Sequence, residues 1–366
     1  MTNNLQKLFP MIRSRDEVLH DIKENENLTQ TFNQWNLEQQ EEFLDCCTGV
    51  KGIKLLYDSF FKEIMNPENV PERLEEILSL LLKQKVKILK VLPNDSTRIA
   101  DENSLLIMDI VVEFTDGSIA NVEMQKISYA FPGQRGACYS ADLLLRQYKR
   151  LKSKKKKKFS YRDIKKVYTI VFFETSSKEF HRFPNDYIHY FCPTSDTGLK
   201  LNLLQEFFFI PLDIFRNIRQ NKGISNRLEA WLTFLGEDDP EEIIKLLEVY
   251  PDFKELYQDV YRMCQNTEKV MEMFSEELRI LDRNTVAYMV DEMQEEIDGL
   301  KKQVAEYQKA MDEHQKIMDE SQKAMDEYKK AMDEYKKIMD ENQKVMAEKD
   351  AEIASLQRLL SEASAK

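Results

Sequence analysis

Two runs of apolar and β-branched residues, 105–114 and 119–125, are joined only by Thr115-Asp116-Gly117-Ser118, a strong turn signal. The pattern commits this stretch to a hairpin and the region around it to a sheet. Asp109 lies inside the apolar sequence Leu106-Ile107-Met108-Asp109-Ile110-Val111-Val112. A lone carboxylate in such a strand costs several kcal/mol unless it is paired, hydrated or metal-bound. Across the turn, Glu123 and Gln125 are two apart and share one face, while Val122 and Met124 share the other. A hairpin can bring Asp109 near Glu123. Two carboxylates and a backbone carbonyl form a hard-oxygen site suited to Mg²⁺ or Mn²⁺. An ion there would serve phosphodiester hydrolysis by polarising the phosphoryl oxygen and stabilising the leaving oxygen. On spacing alone the signal is weak, and an exposed sheet face carrying ordinary polar residues is the stronger reading.

The rest of the chain reads as helices around that sheet. Residues 1–50 form short polar helices. A helix is expected over 51–65, ended by Asn66-Pro67, and another over 72–83 with Leu74, Ile77, Leu78, Leu81 and Leu82 on one side. The period then changes to two. Strands are expected over 85–92, 105–114, 119–125, 166–174 and 205–212, with a helix over 136–151 between the third and fourth. From about residue 225 the chain is helical. This order describes a mixed sheet covered by helices, an α/β (mixed) class. Four segments follow: a helical extension over 1–50, the core over 51–225, a helical region over 226–290 and a tail over 291–366.

The tail repeats every seven residues. Met311, Met318, Met325, Met332, Met339 and Met346 keep step, as do Ala310, Ile317, Ala324, Ala331, Ile338 and Val345. Such a repeat implies a left-handed coiled coil and a homo-oligomer. A single charged helix held by Glu–Lys pairs one turn apart is the other reading.

Net charge is −12, but its distribution matters more than the sum. Residues 291–366 hold 20 Asp/Glu and 13 Lys/Arg, a net of −7, which leaves −5 for the first 290 residues. Within those, residues 149–158 carry eight Lys/Arg. Lys154, Lys155, Lys156, Lys157 and Lys158 either neutralise a DNA backbone or form a solvated loop. The five cysteines are irregularly spaced and contain no C-x-x-C pair, which points away from zinc or disulfides and towards a reducing, cytoplasmic setting. No apolar run is long enough for a membrane span.

The chain resembles the PD-(D/E)xK nuclease family transposases, the recombination-promoting nuclease group of bacteria. The resemblance covers most of residues 8–298. It rests on Tyr57-Asp58-Ser59-Phe60-Phe61-Lys62, on Ile107-Met108-Asp109-Ile110-Val111-Val112 and on Asn121-Val122-Glu123-Met124-Gln125. Gln134-Arg135-Gly136-Ala137-Cys138-Tyr139-Ser140, the run from Tyr161-Arg162-Asp163 to Tyr168-Thr169-Ile170, Leu228-Glu229-Ala230-Trp231-Leu232-Thr233-Phe234-Leu235 and Asp282-Arg283-Asn284-Thr285-Val286 complete it. It implies a restriction-endonuclease-like core and a Mg²⁺- or Mn²⁺-dependent DNA endonuclease of recombination or transposition. Asp109 and Glu123 would be catalytic and bind the ion. Gln125 stands where the motif's Lys is expected; it cannot carry charge, so it would position water or substrate. That leaves the site with two acids and no cation of its own. Lys126 is adjacent but points to the opposite face. Arg135 is read either as a phosphate contact or as a strand–helix ion pair. Tyr139 is read as packing and Asp58 as structural, and His181 and His189 likewise. A DNA-binding or assembly protein on a nuclease-like scaffold, without useful turnover, is the alternative function.

Overall fold

Four short helices open the chain: α1 (Asn4–Leu8), α2 (Arg15–Glu24), α3 (Glu26–Gln34) and α4 (Leu37–Thr48). Reciprocal side-chain caps start three of them, Asn3 with Gln6, Ser14 with Glu17 and Asn36 with Gln39. These coordinates are a computed structural model that describes residues 3–93, 109–127, 132–220 and 222–363. Residues 105–108 of the expected strand, with Ile107 and Met108 of the motif, lie outside the described residues, as does the side chain of Asp58.

The helix expected over 51–65 is shorter, α5 (Asp58–Ile64). Gly49, at φ +69°, ends α4 in the left-handed region. At Gly52 the backbone N–H donates to the Asp238 carbonyl at 2.7 Å. A Cβ on Gly52 would sit 2.5 Å from Ile243 Cδ1 and 3.0 Å from the Asp238 carbonyl oxygen. The chain runs too close to residues 238–243 for a side chain, and its hydrogen bond goes across the fold instead of along a helix. Next comes α6 (Pro71–Leu82), which begins on a proline and buries Leu74, Ile77, Leu78 and Leu81.

The sheet follows: β1 (Ile88–Leu92), β2 (Ile110–Phe114), β3 (Ile119–Ile127), then α7 (Pro132–Lys155), β4 (Val167–Thr175), β5 (His189–Phe191) and β6 (Gln205–Pro211). Its order is β1-β2-β3-β4-β6-β5. The first three strands are antiparallel, β3, β4 and β6 are parallel, and β5 closes the far edge antiparallel to β6. The parallel β3–β4 pair requires a crossover, and α7 supplies it. Sequence reasoning missed β5 because three residues are too few to show a period. The chain ends in α8 (Leu212–Arg219), α9 (Arg227–Gly236), α10 (Pro240–Val249), α11 (Phe253–Met263) and α12 (Thr267–Ala363). This is the mixed α/β class expected, a six-stranded mixed sheet with flanking helices and a long C-terminal helix.

Strand alternation divides the sheet residues between two faces, and three buried clusters lie on them, one of which is Val171, Phe173 and Phe209 with Phe180 and Ile214. Ile110, Val112, Ala120, Val122, Met124, Ile170, Phe172 and Ile210 face the broad helical layer, where they join residues from Leu5 to Phe274. Val111, Ile119 and Val167 face α7 and meet its Tyr139 and Leu143. Residues Met1–Asp291 form one compact unit, and Glu292–Lys366 form another, helical one. In the second unit the repeat residues are exposed: Ile317 at 63% and Ile338 at 55%. Among the described residues no helix is long and apolar enough to cross a membrane.

Gly52→Ala is expected to destabilise the first unit by about 1–3 kcal/mol, since the clash involves backbone as well as a side-chain tip. A urea midpoint unchanged by that substitution would show that the 52–238 approach can relax.

Candidate active site

Ile110 lies opposite Val122 in the β2–β3 register, so Asp109 and Glu123 are the next opposed residues. Each acid is held by backbone beside the other. The Asp109 N–H donates to Glu123 Oε1 at 3.2 Å, and the Met124 N–H donates to Asp109 Oδ2 at 2.7 Å. Asn121, two residues before Glu123 on the same face, donates from Nδ2 to Glu123 Oε1 at 2.8 Å. Gln125 is buried on that face, and among the described residues its Oε1 has no hydrogen-bond partner.

Two cations stand near this pair, and one corrects the expectation of a site with none of its own. Lys62, at the end of the Tyr57–Lys62 motif, comes from α5 and places Nζ 3.2 Å from Asp109 Oδ1. Its helix is fixed against the helical-layer face of β3. Phe60, Phe61 and Ile64 are buried in the helical layer. The Tyr57 ring, just before α5, lies 4.0 Å from the Lys126 ammonium, and its hydroxyl donates to Glu42 Oε1 at 2.8 Å. Lys126 thus faces away from the acids, as strand parity requires. The second cation, Arg135, lies near the start of α7. Its Nε donates to the Tyr139 hydroxyl at 2.7 Å, and the guanidinium sits 5.3 Å from that ring. Tyr139 is buried, so it packs against the sheet and also holds Arg135.

The electrostatics follow from depth. Burial pushes the Glu123 carboxyl up to about 7 from its ordinary 4.5. The Asn121 and Asp109 hydrogen bonds and the charges of Arg135 and Lys62 all pull it back down without overcoming burial. Burial, reinforced by the negative charge of Glu123, also raises the Tyr139 phenol above its usual range.

Gly136 sets the approach of α7 to the sheet. A Cβ there would lie 3.1 Å from Phe209 Cζ. Glycine inside a helix costs about 1 kcal/mol relative to alanine, and here it lets Arg135 and Tyr139 come down over β3. The five lysines 154–158 lie at the opposite end of α7 and in the 3₁₀ turn after it, all exposed. Lys154 is 19 residues from Arg135, about 28 Å along a helix, so these lysines do not join the acids.

Asp109, Glu123 and the unpartnered Gln125 Oε1 are oxygen donors on one face. That set fits Mg²⁺ or Mn²⁺, ions that retain several waters and need only one or two carboxylates. Among the described residues no cluster of three His, Cys, Asp or Glu offers a denser site. Ser176, His181 and Asp213 also meet, with His181 Nε2 lying 3.2 Å from Asp213 Oδ2 and 3.4 Å from Ser176 Oγ. Serine and aspartate share a single ring nitrogen, so the aspartate does not hold the second nitrogen and orient the imidazole towards the serine as in a hydrolase triad. His189 packs its ring against Phe180, with 5.1 Å between centroids.

The family model described as PD-(D/E)XK nuclease family transposase matches residues 55–289. Comparison with curated proteins and with solved structures returns no match. The match begins two residues after Ile53 and includes α5, the β2–β3 hairpin and α7, so Lys62, Asp109, Glu123, Gln125 and Arg135 all fall within it.

In chelator-treated protein the folded state holds the Glu123 proton more tightly than the unfolded state does. Stability therefore falls as pH rises from about 4.5 to about 7 and is level above that. Glu123→Gln should remove this slope. The variant is expected to exceed wild type by on the order of 1–3 kcal/mol at pH 8 and to show no such gain at pH 4. Urea midpoints at the two pH values check this, and a pH-independent difference would rule out burial of the charge as its cause.

Proposed function

The chain belongs to the PD-(D/E)XK nuclease family transposases, and from that premise we propose that it is a divalent-metal-dependent DNA endonuclease acting in recombination or transposition. The observation that carries the reading is the opposed Asp109–Glu123 pair, cross-braced by backbone and flanked by Lys62 and Arg135. Asp109 and Glu123, with Gln125 Oε1 or a neighbouring carbonyl, would hold Mg²⁺ or Mn²⁺. When bound, the ion supplies Lewis-acid polarisation of the phosphodiester and a stabilised leaving oxygen.

The protein's own groups have separable tasks. Lys62 offsets negative charge at Asp109 and supplies the positive charge that Gln125 lacks. Gln125, on the face of Glu123 and with a buried, unpartnered amide oxygen, would orient a water or the substrate. Arg135, held by Tyr139, meets a phosphate. Lys154–Lys158 attract the DNA backbone without reading its sequence. The reaction would proceed in the cytoplasm, consistent with five free cysteines.

Gln125 motivates a second reading, a DNA-binding or assembly protein without useful turnover. Lys62 weighs against it by restoring a cation to the site. The tail joins copies of the chain: a seven-residue stripe with Ile317, Ile338 and Leu359 exposed is stabilised when another helix covers it.

Purified protein is expected to nick or cut plasmid DNA with Mg²⁺ or Mn²⁺. Asp109→Ala and Glu123→Ala should abolish cleavage, and Lys62→Met should slow it about a hundredfold. Cleavage that survives Asp109→Ala defeats the site, whereas metal-independent DNA binding with no cleavage in any form selects the second reading. For the tail, Ile317→Lys with Ile338→Lys should reduce the mass seen by analytical ultracentrifugation to that of one chain.

A further inference from the structure

The far end of α7 and the turn after it combine two properties that neither a folded core nor a simple cationic loop requires. Residues 149–166 carry eleven Lys/Arg and a single acid, Asp163. Among them three aromatic rings gather. Tyr148 and Tyr161 stack with centroids 6.1 Å apart and planes 13° from parallel. Phe159 meets both edge-on at 5.5 Å. None of the three belongs to a hydrophobic core, and Tyr161 is 74% exposed.

The arrangement is built against local preference. Lys156 adopts φ +48°, a conformation unusual for a residue with a side chain. This turn follows α7 and brings Phe159 and Tyr161 back onto Tyr148. Lys152 donates to the Tyr148 hydroxyl at 2.6 Å, and Lys155 pairs with Asp163 at 2.5 Å. A lysine run left to itself would spread; here it is fastened around an exposed ring.

The chemistry of the surface selects its ligand. Duplex phosphates need the lysines but have no use for the rings, because paired bases are stacked and covered. An apolar partner would need the rings but would have to strip water from the lysines around them. Unpaired bases on a phosphate backbone need both. We propose that this surface is a platform for single-stranded DNA, on which a base stacks against Tyr161 while Lys152, Lys154, Lys157 and Lys158 take the flanking phosphates. Tyr148 and Phe159 hold the Tyr161 ring in place. Tyr148 lies nine residues beyond Tyr139 on α7, about 14 Å along the helix, so a few nucleotides of strand separate the platform from the acid pair. The inference rests on the reading that the substrate is DNA and specifies that part of it is unpaired.

The test uses the full chain in EDTA, so cleavage plays no part. Fluorescence anisotropy is measured with labelled dT20 and with a 20-base-pair duplex. Tyr161→Ala should weaken dT20 binding about fivefold to a hundredfold and change duplex binding less than twofold, while Tyr161→Phe should bind dT20 as wild type does. Lys154→Ala with Lys157→Ala should weaken both ligands and reduce the salt dependence of each. Equal losses for dT20 and duplex in Tyr161→Ala, or no loss for either, would overturn the platform. Wild-type protein that binds dT20 through Tyr161 yet cuts no DNA with Mg²⁺ or Mn²⁺ would sink the endonuclease reading and leave the platform standing.

Discussion

A carboxylate placed in the interior of a sheet is the constraint around which the rest of this site is arranged. Glu123 is nearly inaccessible to solvent, and its charge is disfavoured by burial. The fold supplies the hydrogen-bond donors Asn121 and the Asp109 N–H at close range. It also brings two cations from outside the sheet, each on a different helix. The residual imbalance suits an ion-binding site: burial still disfavours the Glu123 charge despite these donors and cations, so a further cation beside it is stabilising.

Strand parity lets one element serve both stability and chemistry. On β3, Ala120, Val122 and Met124 enter the larger core while Asn121, Glu123 and Gln125 turn to the other face. Sliding the strand by one residue would exchange the two sets, so the register that buries the apolar residues also aims the acids. The parallel partner β4 completes the arrangement with an almost wholly buried strand. Gly136 then fixes how near α7 stands to Phe209 on β6.

Much of this was legible in the sequence, and what was not has identifiable causes. The hairpin, the opposition of Asp109 and Glu123 and the outward turn of Lys126 follow from a period of two and a turn signal, both local properties. The role of Lys62 was hidden although its motif was in view, because its partner Asp109 is 47 residues away and no periodicity links a helix to a strand's carboxylate. The missing first half of the 51–65 helix depends on the contact between Gly52 and Asp238, which is longer-range still. The aromatic cluster was invisible for a related reason. The spacing of Tyr148, Phe159 and Tyr161 is irregular, and only the left-handed turn at Lys156 brings them together.

The dispersal of the charged groups over separate elements has a consequence for the chain while it is being made. Lys62, Asp109 and Glu123 leave the ribosome before β4 and β6 exist, when β3 still has an open edge. Until those strands arrive, water reaches Glu123 and its acidity is that of an ordinary glutamate. Nor does Gly136 of α7 meet Phe209 before β6 has been made. A growing polypeptide therefore carries the ingredients of the site without its electrostatics. Synthesis must pass residue 211 before the parallel strands can close around the acids.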